Sequence, residues 1–155
     1  MNKNKLVRIV LLILIILTVL FIWSNSLRGR DDSSLQSGRV REFCQRILDT
    51  LGISLTLTNH LVRKLAHFLE FFLLGIELTV YGIHRRALTR RDVTDILLSL
   101  SGVAFLDETL QIFSARGPAI ADVWLDISGG VTAMLFTFAF YYLVSVCRRR
   151  GKTRR

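Results

Sequence analysis

Long apolar stretches separated by short polar ones dominate the chain. The first, residues 9–23, is uninterrupted and is preceded by Leu6 and Val7 with only Arg8 between. At a helical rise of about 1.5 Å per residue, such a stretch covers a bilayer core about 30 Å thick once its flanks are included. The pattern predicts four membrane-spanning helices, over residues 6–23, 61–83, 93–113 and 120–146. The third is the most broken, because Asp107 and Glu108 interrupt it before Leu110, Ile112 and Phe113 resume. Between the first two spans the pattern changes. Asp31, Asp32, Ser33 and Ser34 form a helix start, and Val40, Phe43, Ile47, Leu48 and Leu51 then recur at helical spacing until Gly52. Arg39, Arg41, Glu42, Gln45, Arg46 and Asp49 fall largely on the other side. An amphipathic helix over 34–51 is expected, either lying in the outer headgroup layer or, as the simpler arrangement, capping the bundle. The alternation over 53–58 is too short for a strand. The expected fold class is therefore an all-α integral membrane protein in one domain, 1–155: four transmembrane helices in a bundle plus an amphipathic helix in the first outer loop.

Composition supports this and charge sets a direction. Hydrophobic residues make up 51% of the 155, which places the chain among membrane proteins. A formal charge of +9 would suit a nucleic-acid partner, but the basic residues cluster at the ends of apolar segments, so no nucleic acid is expected. Lys3, Lys5 and Arg8, then Arg85, Arg86, Arg90 and Arg91, then Arg148, Arg149, Arg150, Lys152, Arg154 and Arg155 all fall on one side of a four-span topology. The positive-inside rule then puts both termini in the cytoplasm, with the basic tail near anionic lipid. A cleaved signal peptide competes for the first span, since a basic start leads to the small-x-small pattern Ser24-Asn25-Ser26. The apolar region is longer than a typical signal core, which favours a retained helix. Cys44 in the first outer loop and Cys147 at the inner end of the last helix lie on opposite sides, and neither has metal or redox spacing.

Against this background the ionisable residues inside the spans stand out: His67, Glu70, Asp107, Glu108, Asp122 and Asp126. A charge at the bilayer centre costs about 3 kcal/mol or more, so such groups face a bundle interior and carry a role. On the second span Arg63, His67, Glu70, Leu74 and Glu77 share one stripe, flanked by Lys64. On the third, Asp107 and Gln111 are one turn apart with Glu108 beside them, and Arg116 follows in an Arg-Gly-Pro turn. Counted from the outer ends, His67, Asp107 and Asp126 each lie about 9 Å deep, so three helices bring polar groups to one level. Gly129, Ala133 and Thr137 recur every fourth residue beside Gly130, a face that lets a neighbouring backbone approach and lies in line with Asp122 and Asp126.

Taken in order, Arg63-Lys64-x-x-His67-Phe68-x-Glu70, then Asp107-Glu108-x-x-Gln111-x-Phe113-x-x-Arg116, then Asp122, Asp126 and Gly129 resemble the VanZ-like family. These are small membrane proteins named for a determinant of resistance to the glycopeptide teicoplanin. Trp23-Ser24-Asn25-Ser26 fits the family's small polar exit from the first helix, and the resemblance runs from about Phe21 to the last helix. It implies a multi-pass protein of the bacterial cytoplasmic membrane with a link to cell-wall glycopeptides or the envelope, and no settled reaction. Asp126 departs from the Asn expected there in many relatives.

The polar residues support three readings. One is a structural ion and hydrogen-bond network, with Arg63 or Arg116 neutralising the carboxylates. The excess of acids is more than helix packing needs. The second is an outward-facing polar cleft that binds an envelope lipid headgroup or a cell-wall precursor: Arg63, Lys64 and Arg116 would hold phosphate or carboxylate, while Gln111, Asp122 and Asp126 accept from hydroxyls or ammonium groups. The third is an enzyme acting on a lipid-linked phosphate or wall precursor. His67 would be its base, Glu70 or Glu108 the orienting partner, and Asp107 a further carboxylate in a low-dielectric cleft. The spacing of Arg116, Asp122 and Asp126 mimics the last motif of phosphatidate-type lipid phosphatases, but Asp stands where those enzymes carry the His they phosphorylate, and their other motifs are absent. Metal ligation by His67, Glu70, Asp107 and Glu108 suits an oxygen-rich divalent site, yet a single His makes zinc less natural. Neither metal nor cofactor is expected, membrane lipids are the expected partners, and the binding cleft is the favoured reading.

Overall fold

The described residues form five helices: α1 (Lys3–Ser26), α2 (Arg30–Thr50), α3 (Asn59–Arg85), α4 (Arg90–Phe113) and α5 (Ile120–Thr153). They are seen in a computed structural model that describes residues 3–85, 89–113 and 119–153. No strand occurs among the described residues. Asn4–Ser26, Asn59–Arg85, Arg90–Phe113 and Ile120–Arg148 are each long and apolar enough to cross a membrane. The interrupted third span is thus a helix throughout, with Asp107 and Glu108 turned into the bundle, where both are buried.

α1 is apolar on every side. Ile15, Val19, Ile22 and Trp23 turn towards the core, while Ile9, Val10, Ile13, Leu14, Ile16, Leu17 and Leu20 remain exposed, as lipid-facing residues do. Its start is tied to the end of α3 by Arg8, whose guanidinium donates to the carbonyls of His84 and Arg85, both at 3.1 Å. These are helix-terminal carbonyls without intrahelical donors, and a cation suits them. Its other end, at Asn25 and Ser26, meets α3 and α4. α1 and α3 therefore run antiparallel, and Lys3, Arg85 and Arg90 gather at one end of the bundle while Ser26, Asn59, Phe113 and Ile120 gather at the other.

The closest helix pair is α3 with α5, and glycine makes it possible. A Cβ on Gly75 would run into the Gly130 carbonyl oxygen and lie 2.9 Å from its Cα; one on Gly129 would lie 2.5 Å from the Phe68 carbonyl oxygen. Small residues at such contacts let backbones touch where lipid supplies no hydrophobic force between helices. Around this seam Phe71, Leu74, Leu100, Ala104 and Met134 form the buried core, joined by Ile22.

α2 begins at Arg30, one turn before the expected start at residue 34, and ends in a Schellman motif: Gly52 takes φ 71°, Ile53 N–H donates to the Leu48 carbonyl at 2.9 Å and Gly52 N–H to that of Asp49 at 3.1 Å. Capping was the simpler expectation for its apolar face, and the structure departs from it. Leu35, Phe43, Ile47 and Leu51 all remain exposed. Gln36, Ser37 and Cys44, with Val40 of the stripe, line the cavity that faces α3. Val40 belongs to both faces, so the apolar stripe only partly turns to the groove, and Phe43, Ile47 and Leu51 stay exposed.

Candidate functional site

A polar cluster fills the end of the bundle where α1, α3, α4 and α5 converge. Asp107, wholly buried, is its hub. Ser26 donates its hydroxyl to Asp107 Oδ1 at 2.6 Å, Gln111 donates to Oδ2 at 3.2 Å, and His67 Nδ1 stands 3.7 Å from Oδ2. His67 Nδ1 also lies 4.0 Å from Glu70 Oε2, and the other oxygen of Glu70 accepts from the Asn25 amide at 2.7 Å. Glu108 accepts the backbone N–H of Ala119 at 2.9 Å, just ahead of α5. There a carboxylate satisfies one of the donors that a helix start leaves open.

On α5, Asp122 and Asp126 are one turn apart and share a face, but their surroundings differ. Asp122 is a third exposed and pairs with Lys64 at 2.9 Å. At that exposure the pair contributes little, within about 1 kcal/mol. Asp126 is 1% exposed, and neither of its oxygens has a hydrogen-bond donor among the described residues. Its carboxylate points at the hub: ligand atoms of His67, Asp107 and Asp126 all lie within 4.8 Å of one another. The shared depth inferred from helix rise thus becomes direct proximity between three helices.

Beside the cluster a cavity of about 340 Å³ opens between α2 and α3. Val40, Val62, Leu65 and Leu69 make its walls apolar, Arg28 and Arg63 supply cationic groups, and His67 and Glu70 join it to the cluster. Arg63 has no ion-pair partner among the described residues.

Of the residues singled out from sequence, His67, Glu70, Asp107, Glu108, Gln111, Lys64, Asp122 and Asp126 occupy this end of the bundle, and Arg63 faces the adjoining groove. Arg116 lies outside the described residues. Glu77, on the same stripe as His67, belongs elsewhere: ten residues further along α3, about 15 Å at helical rise, it is buried and accepts from Thr18 at 3.0 Å.

Sequence reasoning passed over Asn25 and Ser26 as site members and did not consider Arg28. The available signal was two polar side chains closing an otherwise apolar helix. Their donation to Glu70 and Asp107 makes α1 part of the site, and a chain cut at the signal-peptide pattern would lose these donors. The Gly129 face expected to admit a neighbouring backbone does so at Phe68, the residue after His67, so the same contact sets the spacing between His67 and Asp126.

No curated protein and no solved structure matches the chain. A family model described as VanZ/LLP1 matches residues 9–143, which takes in α1 through most of α5 and every cluster residue named above. The motifs on α3, α4 and α5 that resembled this family are thus accounted for, and the chain belongs to the VanZ/LLP1 family.

Proposed function

We propose that the protein binds an anionic envelope lipid or lipid-linked wall precursor in the groove between α2 and α3, and through it alters susceptibility to glycopeptides such as teicoplanin. The observation that carries this reading is the groove itself: apolar walls of a size suited to an acyl chain, with Arg28 and Arg63 beside a polar inner end at His67 and Glu70. Arg holds phosphate or carboxylate through two parallel hydrogen bonds, and an Arg without a carboxylate partner is open for that use. The exposed apolar stripe of α2 supports a groove that opens at the headgroup layer. The gathering of basic residues at the opposite end supports a bacterial cytoplasmic membrane protein with both termini inside and the groove facing outward.

Full-length protein in nanodiscs containing phosphatidylglycerol is expected to retain that lipid through purification. Arg63→Ala should lower retention about tenfold, the loss of one charge-assisted contact. Equal retention by the variant, with helical content unchanged, would remove the groove from consideration. Orientation has its own measurement. Cys44 and Cys147 are both free thiols, and in whole cells an impermeant maleimide should label Cys44 and spare Cys147; the reverse pattern would invert the topology.

One observation favours an enzymatic variant of this reading. His67 stands 3.7 Å from Asp107 Oδ2 at the inner end of the groove, an imidazole–carboxylate pairing suited to general acid–base work on a bound phosphate ester. Conversion of retained lipid to a product of different mass would establish it, and saturable retention without conversion would leave a binder.

A further inference from the structure

We propose that His67, Asp107 and Asp126 form a binding site for one divalent cation of the manganese type. The expectation of no metal weighed His67 with Glu70, Asp107 and Glu108; the structure keeps His67 and Asp107 and brings Asp126 to them. Ligand atoms from the three residues, one on each of α3, α4 and α5, lie within 4.8 Å of one another. Two ligands at about 2.1 Å from an ion are separated by about 3 Å when adjacent and about 4.2 Å when opposite. Closing the cluster onto an ion therefore needs side-chain shifts under about 2 Å, within reach of small χ rotations.

Asp126 supplies the independent reason. A carboxylate 1% exposed, with no donor to either oxygen among the described residues, carries an electrostatic cost of several kcal/mol unless something neutralises it. Lys64 is committed to Asp122 at 2.9 Å. A cation between Asp126 and Asp107 meets both carboxylates at once, and two carboxylates balance its charge. The surroundings hold the ligands in place as outer partners of metal sites do: Ser26 and Gln111 donate to Asp107 at 2.6 and 3.2 Å, fixing its plane, and Gly129 against Phe68 fixes the approach of α5 to His67.

The donor set selects the ion. One imidazole nitrogen with carboxylate oxygens suits Mn²⁺ better than Ca²⁺, which takes six to eight oxygens, or structural Zn²⁺, which favours Cys and several His. The remaining coordination positions would be left for solvent or a ligand oxygen. This site does not depend on the lipid-binding reading, and either can fail alone.

The test uses full-length protein in detergent, stripped with a chelator, desalted and titrated with Mn²⁺ while free ion is read from its solution EPR signal. One ion per chain is expected. Asp126→Asn, which keeps the shape of the side chain but removes its charge, should weaken uptake at least 10- to 100-fold, the effect that changing even an outer partner of a metal ligand has. His67→Gln is the second variant should Asp126→Asn fail to fold, and Glu77→Gln, a buried acid outside the cluster, should bind as wild type does. No uptake by wild type at about 1 mM, the weak end of specific binding, would overturn the proposal and leave the cluster to protons. Equal uptake by wild type, Asp126→Asn and His67→Gln would overturn it too, by placing the ion elsewhere. Phosphatidylglycerol retention measured in chelator reports on the groove separately.

Discussion

Replacing Gly129 with leucine is expected to drive α3 and α5 apart and to abolish both lipid retention and ion uptake. A Cβ at this position meets the Phe68 carbonyl oxygen at 2.5 Å and its carbonyl carbon and ring at 3.3 Å. The nearest of these is backbone inside a helix, which cannot rotate away as a side-chain tip can, so the helices must separate. Overpacking of this kind costs about 1–3 kcal/mol for a modest insertion, and leucine adds several heavy atoms. In a bilayer no hydrophobic force between helices opposes the separation. The consequence for the site is direct, because Phe68 adjoins His67 and Asp126 lies one turn before Gly129. Thermal unfolding of the detergent-solubilised protein, followed by circular dichroism, measures the stability effect. Gly102→Ala is the control: a Cβ there has nothing within 4 Å, the residue is exposed, and alanine improves helix propensity by about 1 kcal/mol. A Gly129→Leu protein that melts with wild type would show that the α3–α5 contact is not as close as described.

The second large effect is expected at Asp107. Alanine there removes the hydrogen bonds that Asp107 accepts from the Ser26 hydroxyl and the Gln111 amide, both buried, together with the carboxylate facing His67. Each hydrogen bond to a charged acceptor that is lost costs about 1.5–3 kcal/mol. Polar pairs between membrane helices contribute only about 0.6 kcal/mol on average, because the unfolded helices find other partners in the membrane. The hub position decides between these magnitudes: one carboxylate joins α1, α3 and α4, so its removal acts on several contacts together, and a loss of about 2–4 kcal/mol is expected. Asp107→Asn keeps an acceptor for Ser26 and should lose less. Removing the separate Thr18–Glu77 contact by Thr18→Val, a single hydrogen bond at 3.0 Å, should cost about 1 kcal/mol. An Asp107→Ala protein no less stable than Thr18→Val would show that the network does not hold the helices.

Both substitutions act on the same end of the bundle for one reason. The close backbone contact at Gly129 and the hydrogen bonds converging on Asp107 are two ways of setting how α5 and α4 stand against α3. One sets distance and the other rotation. Arg63, His67 and Glu70 also sit on α3, so the groove and the cluster share a wall, and a change in either contact is felt by both.

Much of this was legible along the chain. Four spans followed from apolar length, because the cost of exposing a polar group to lipid is a property of each segment by itself. The common depth of His67, Asp107 and Asp126 also followed, since helix rise is constant. Tertiary structure alone decided which groups meet. Ser26 and Asp107 are 81 positions apart and Asn25 and Glu70 are 45 apart; nothing local marks those pairs. Glu77 shares the stripe of His67 yet accepts from Thr18, Asp122 pairs with Lys64 among the described residues, and most of the apolar stripe of α2 stays exposed while Val40 turns to the groove. Each outcome depends on how one helix is rotated and crossed against its neighbours. That rotation is fixed by contacts such as Gly129 on Phe68, whose partner no single segment encodes.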